Sequence, residues 1–325
     1  MRFDGTNFGS LNWWLRPQGA SADSLPNLSS VRFLSAKVGW AVGDRGTILH
    51  TEDGGGRWDM QDGGTVSDLR SVFFVDAQVG WAVGDKGTIL HSEDGGKSWR
   101  AQSSGTAGML DSVFFVSPKV GWAVGTVILH TLDGGAKWSP QTVPAALSPQ
   151  SGLVLKAVFF ATEQSGWAVG NGLFSANKAL GDTGQILHTA DGGKTWKLQN
   201  NPSFTRLQSV FFATPMSGWS VGEEILHTED GGETWAQQVS PTSSVLDSVF
   251  FADGQLGWAT GASGTILRTE DGGVNWEQQR SGDPRNVFQS VFFSDAMSGW
   301  AVGLGKTVLH TENGGKSWQK QSPQR

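Results

Sequence analysis

The sequence predicts an all-β fold, a seven-bladed β-propeller with four antiparallel strands per blade and an Asp-box turn between the third and fourth strands of each. Three observations predict it. A unit typified by LRSVFFVDAQVGWAVGDKGTILHSEDGGKSWRAQ, from Leu69 to Gln102, is written seven times. Gly-Trp pairs place Trp at 40, 81, 122, 167, 219, 258 and 300, in steps of 41, 41, 45, 52, 39 and 42. Fourteen of the sixteen tryptophans hold just two repeat positions, and helical periodicity appears nowhere.

Each repeat opens on an apolar run, Val72-Phe73-Phe74 in the second, with counterparts beginning at Val113, Val158, Val210, Val249 and Val291. The first copy reads Val31-Arg32-Phe33. Consecutive apolar residues predict a strand buried on both faces, as when a blade lies between two neighbours. A β-sandwich strand would alternate instead. Arg32 needs a partner or a path to water in such surroundings, so blade 1 is expected to be the loosest. The four strands of the second repeat are predicted at Ser71–Val75, Gly80–Val83, Thr88–Ser92 and Ser98–Gln102.

Between the last two lies the Asp-box, Ser92-Glu93-Asp94-Gly95-Gly96-Lys97-Ser98-Trp99. Its Asp can accept hydrogen bonds from the N–H groups of its own turn. The glycines supply positive φ, and the Trp lays an apolar plate over the turn with one N–H to place. The seven box residues are Asp53, Asp94, Asp133, Asp191, Asp230, Asp271 and Asn313. Asn313 keeps an acceptor oxygen but no charge, which suits a turn and not acid–base chemistry. All seven are read as structural.

The repeats run from Val31 to Gln321 without a break. Residues 29–325 therefore read as one propeller domain and residues 1–28 as an N-terminal extension. Within the extension, Asn12-Trp13-Trp14-Leu15-Arg16-Pro17-Gln18 resembles a fourth strand and is read as a structural clasp at the N/C junction. Every repeat is nevertheless whole, so closure need not borrow a strand. The stretch MRFDGTNFGSLNWWLRPQ lacks the apolar core of a signal peptide. No apolar run is long enough for a membrane-spanning helix, and without cysteine there are no disulfides or thiolate metal sites. A net charge of −6 with no basic stripe argues against nucleic acid.

The six histidines, His50, His91, His130, His188, His227 and His310, each stand eight residues before a box Trp, and Arg268 holds that place in blade 6. Equivalent positions in different blades cannot converge on one ion. They are read as structural, hydrogen-bonded beside the box, with no metal and no cofactor. Asp-boxes also occur in sialidases, which use a Tyr nucleophile. This chain has no Tyr, and its arginines are too dispersed to clamp a substrate carboxylate.

A glycanase is harder to dismiss. Two residues before each first-strand Val stand Ser29, Arg70, Asp111, Lys156, Gln208, Asp247 and Gln289, a ring expected near the channel mouth. Asp111 and Asp247 fall in nearly opposite blades. A retaining pair needs about 5.5 Å and an inverting pair about 6.5–9.5 Å, and opposite rim positions are expected to lie farther apart. The ring is read as solvated rim.

The unit F-F-x(5–6)-G-W-A-V-G…G-T-I-L-H-T-E-D-G-G-K-x-W resembles the repeat of the photosystem II stability/assembly-factor family, over residues 30–321. The resemblance implies a seven-bladed, non-enzymatic propeller in the lumen or periplasm. It implies a membrane-protein precursor as partner, bound through a basic patch on one face. The matching positions here are Arg70 and Lys156 on the rim, with Arg45 and Lys86 in loops of blades 1 and 2; blades 5 and 6 offer Glu223, Glu224 and Asp247. The expected role is a protein-binding assembly factor or subunit of a larger complex. The alternative is a secreted carbohydrate-binding or glycan-cleaving propeller.

Two segments break the period, Ser139–Lys156 on the way into blade 4 and Asn171–Gly184 within it. Loops this long are usually functional, and in a propeller both emerge on the same face. Their apolar residues, Leu147, Leu153, Leu173, Phe174 and Leu180, rimmed by Asn171, Asn177, Lys178 and Asp182, look like a contact surface. The bland alternative is that Phe174 and Leu180 fold inward. Partner binding is assigned to Arg70, Lys156, Asn171, Leu173, Phe174, Asn177, Lys178 and Leu180.

Overall fold

Each repeat folds into a four-stranded antiparallel sheet with its strands in chain order, giving seven sheets. A computed structural model describes residues 26–144, 147, 152–173 and 182–321. The second blade comprises Leu69–Phe74, Gly80–Gly84, Ile89–Ser92 and Arg100–Gln102, within two residues of the expected bounds. The inner strand of each blade packs on the inner strands of its neighbours, and Leu28–Phe33 packs on Phe288–Phe293 of blade 7, so the sheets form a closed ring. Among the described residues no strand is exchanged between blades. The clasp expected at Trp13 and Trp14 lies outside the described residues.

The inner strand has a blade on either side, which is why its residues do not alternate between core and solvent. Val72 and Phe74 lie in the seam with the preceding blade, and Phe73 faces the following blade and joins a ring around the axis. In every seam the Gly-Trp indole of one blade stacks on the last Phe of the next inner strand, at 3.4–3.6 Å between centroids. The same indole Nε1–H donates to the first glycine carbonyl of the next blade's Asp-box, at 2.8–3.3 Å. Each of these tryptophans is completely buried. A stack and a satisfied N–H together make the indole a directional joint as well as an apolar filler. The glycine before it is required by space: a Cβ on Gly80 would stand 2.5 Å from the Phe74 ring.

A second set of bonds ties the inner strands together. Ser30 Oγ accepts from Val72 N–H of the next blade at 3.3 Å, and Ser71, Ser112, Ser209, Ser248 and Ser290 do the same in turn. Ala157 holds the place in blade 4 and has no hydroxyl to offer.

Strand directions alternate, so the second-to-third turns and the interblade connections emerge on one face, here the upper. The Asp-boxes occupy the lower face. In blade 4 the period-breaking insert lengthens the second and third strands to Gly166–Leu173 and Asp182–Thr189.

Candidate functional site

On the lower face the box chemistry is uniform. Thr131 Oγ1 donates to Asp133 Oδ1 at 2.8 Å and accepts from the buried Gly135 N–H at 2.8 Å; Asp133 Oδ1 also accepts from Lys137 N–H. The Lys137 N–H and the Thr131 hydroxyl hold the Asp133 carboxyl below its ordinary range, and at Asp191 and Asp230 a second hydroxyl, from Thr195 and Thr234, brings the carboxyl to about 2. Asn313 repeats the geometry with one donor reversed: its Oδ1 accepts from Ser317 N–H, and its Nδ2–H donates to Ser317 Oγ. The acids point into their own turns.

The histidines are structural in placement, and two of them make a side-chain hydrogen bond, His188 Nε2 with Ser165 Oγ at 3.3 Å and His227 Nε2 with Ser217 Oγ at 3.4 Å. Each ring stacks on the Gly-Trp indole of its own blade at 4.7–5.0 Å. His91, His130 and His310 leave Nε2 without a hydrogen-bond partner. Burial lowers the pKa of all six. In blade 6 the alkyl-and-guanidinium side chain of Arg268 replaces the ring, and its Nε–H donates to Gly314 O at 2.8 Å. Among the described residues no cluster of metal-ligating side chains forms.

The variable residues gather on the upper face. Ser29, Arg70, Asp111, Lys156, Gln208, Asp247 and Gln289 line one cup of about 160 Å³ at the channel mouth, as their register predicts. The register of every inner strand shifts by a bulge at the cup residue. Lys156 Nζ lies 3.4 Å from Asp111 Oδ1, and Arg70 bridges Asp111 at 3.7 Å and Asp85 at 2.5 Å. Burial still raises the Asp111 carboxyl, against the pull of Lys156 and Arg70. Asp247 has no such cation, and burial pushes it up to about 6.

Below the cup, Phe73, Phe114, Phe159, Phe211, Phe250 and Phe292 form an arc with neighbouring centroids 4.9–5.3 Å apart. Arg32 completes it, with its guanidinium carbon 4.6 Å from the Phe73 centroid and 4.8 Å from that of Phe292. Arg32 does not enter the packed seam of blade 1 as its place in the apolar run suggests. Its position faces the channel, and the blade core next to it keeps the same Val31 and Phe33 as every other blade.

Arg45 and Lys86 stand at the tips of the second-to-third turns of blades 1 and 2, exposed, at φ 57° and 58°. Such a conformation is uncommon for a residue with a Cβ. Nearby acids are occupied: Asp68 accepts from Arg45 N–H, Asp44 from Asn27 Nδ2, and Asp85 from Arg70. The heads of Arg45 and Lys86 make no ion pair among the described residues.

Phe174, Asn177, Lys178 and Leu180 lie outside the described residues, as does the side chain of Leu173. Asn171, expected on an exposed rim, is 8% exposed and clamps the Leu207 backbone of blade 5, accepting from its N–H at 2.8 Å and donating to its O at 3.0 Å. Leu147 is likewise buried, on the seam between blades 3 and 4. Sequence reasoning passed over Phe204, the one large exposed aromatic among the described residues, at φ 58°. Asn201 holds its loop through Gly184 O and Ser203 N–H. The turn-forming run Asn200-Asn201-Pro202-Ser203 was the available signal.

A sequence profile described as "Photosynthesis system II assembly factor YCF48" matches residues 18–107 and 235–322. None of the curated proteins matches the chain in sequence. Among solved structures, "YCF48 bound to D1 peptide" superposes with a TM-score of 0.69 at 22% identity, covering 89% of this chain and 93% of that one. YCF48 from Cyanidioschyzon merolae gives 0.70 at 20% identity, over 90% and 97%. A GH74 xyloglucanase from Xanthomonas campestris gives 0.71 at 13% identity, over 92% of this chain and 55% of its own. At such identities these likenesses establish the fold.

Proposed function

The chain belongs to the photosynthesis system II assembly factor YCF48 family, and on that footing we propose a non-enzymatic protein-binding propeller, acting as an assembly factor or accessory subunit of a larger complex. The observation that carries the reading is the division of labour between the faces. The repeated polar residues are tied into turns and seams, which leaves the variable upper face for a partner. The proposed surface runs from the exposed Arg45 and Lys86 past Arg70 and Lys156 at the cup to the blade 4 insert. There Asn171 anchors the strand that enters the insert, and Leu173, Phe174, Asn177, Lys178 and Leu180 follow it in the sequence as candidate contacts. By likeness to the relative solved with a D1 peptide, the ligand is a protein segment of that kind.

The test is a titration of the chain with a D1 peptide. Arg45→Glu combined with Lys86→Glu should weaken binding about tenfold or more, since rim charges act mainly through steering and complementarity. The melting temperature should stay unchanged. Replacing residues 174–181 by a short turn should weaken binding as well. Unaltered affinity in both variants would put the surface elsewhere.

The glycanase reading rests on Asp111 and Asp247 in the cup. With Asp111 drawn to Lys156 and Arg70, Asp247 is the carboxylate left to act, and a glycanase needs two. Incubation with xyloglucan should release no reducing ends. Release that disappears in Asp247→Asn would establish an enzyme.

A further inference from the structure

Arg32 is the one charged member of the aromatic ring around the axis, and among the described residues no counter-charge stands beside it. Its guanidinium lies between the faces of Phe73 and Phe292. Its Nε–H is sealed and has no hydrogen-bond partner. The desolvation is deep enough to bring even an arginine down to about 10. In the cup above, the ring positions of its own and the two adjacent blades are Ser29, Gln289 of blade 7 and Arg70 of blade 2, none of them an acid. The acids of the cup are placed elsewhere. Asp111 is held by Lys156 and Arg70, and Asp247 belongs to blade 6.

A buried cation without a partner is costly. Stacking on two Phe faces offsets part of that but leaves the N–H donors unsatisfied. A planar guanidinium with its Nε side closed presents its two terminal nitrogens as a fork, a shape that matches a carboxylate better than a spherical ion. The cup, about 160 Å³ and lined by hydroxyl, amide and charged groups, has room for the body of a small acid.

We propose that the axial channel is a binding site for a small carboxylate, which enters from the upper face and docks its carboxyl end-on against Arg32 between Phe73 and Phe292. The way in is the cup, whose Arg70 and Lys156 also belong to the protein-binding surface proposed above, but the docking residue, Arg32, is not part of that surface.

Thermal unfolding of the full chain tests it, with formate as the probe and chloride at equal ionic strength as the reference. Saturating formate should raise the melting temperature of the wild type by roughly 2–4 °C over chloride. Arg32→Phe completes the aromatic ring and should fold, with that differential abolished. Arg32→Lys keeps the charge without the fork and should retain less than half of it. A formate effect of equal size in Arg32→Phe would overturn the proposal, because a general salt effect does not need Arg32. An equal effect of chloride in the wild type would overturn the carboxylate assignment, and so would the absence of any differential.

Discussion

Asp111 and Asp247 occupy equivalent positions in one cup, yet their neighbours give them different chemistry. Asp111 has Lys156 and Arg70 within reach, whereas nothing but burial acts on Asp247, which is pushed to about 6 from an ordinary 3.8. A carboxyl raised in the folded state opposes folding once the unfolded chain can ionise it. Its penalty is absent below about pH 4, grows as the pH rises toward 6, and is constant above. Asp247→Asn should therefore stabilise the protein at about pH 8 by 1–3 kcal/mol, the upper figure being the full shift converted at about 1.4 kcal/mol per pH unit. At about pH 3.5 it should change nothing. Urea unfolding of wild type and variant at the two pH values reads the difference; an equal gain at both would mean that the effect is not ionic.

At the scale of the element, the Asp-box turns on its hydroxyl as much as on its acid. Thr131 Oγ1 is buried, serves Asp133 as donor, and gives the enclosed Gly135 N–H its acceptor. The Asp side chains sit at the edge of the turn and tolerate replacement by Asn, as Asn313 does within the same chain. Thr131→Val keeps the shape and removes only the oxygen, leaving a buried donor unpaired. A loss of about 1–3 kcal/mol is expected in chemical denaturation. An unchanged midpoint would mean that the acid alone holds the turn.

Across the whole molecule, the ring closes with the same joint that it uses internally. Between blades 7 and 1, Trp300 stacks on Phe33 at 3.5 Å and donates to Gly54 O at 2.8 Å. Ser290 Oγ accepts from Val31 N–H at 3.3 Å, and Asn27 Oδ1 accepts from Gly305 N–H at 3.0 Å. Every one of these residues lies at or after Asn27. Removal of residues 1–24 should therefore leave a monomeric, cooperatively unfolding propeller with its melting temperature within about 4 °C of the full chain, a shift worth roughly 1–2 kcal/mol. Trp300→Ala, by contrast, should cost about 3–5 kcal/mol, as for any large buried aromatic. A truncated chain that fails to close would support the clasp expected at Trp13 and Trp14.

The repeat by itself determined the blade count, the strand order, the box turns and the ring of seven cup residues. Each of these depends on local pattern or on register within one strand, and seven copies make such a pattern legible. What a side chain does between blades was decided by the tertiary structure alone. Asn171 reads as a polar loop residue until Leu207, thirty-six residues on, is brought beside it. Arg32 reads as a flaw in an apolar core until the inner strand is seen to have a channel side as well as two blade sides. The histidines read as hydrogen-bonding groups, and the sequence does not show that each also lies flat against an indole. The physical reason is common to all three. A propeller buries its strands against partners some forty residues away, so the environment of a side chain is set by the neighbouring blade, and sequence order carries no record of the distance at which the blades meet.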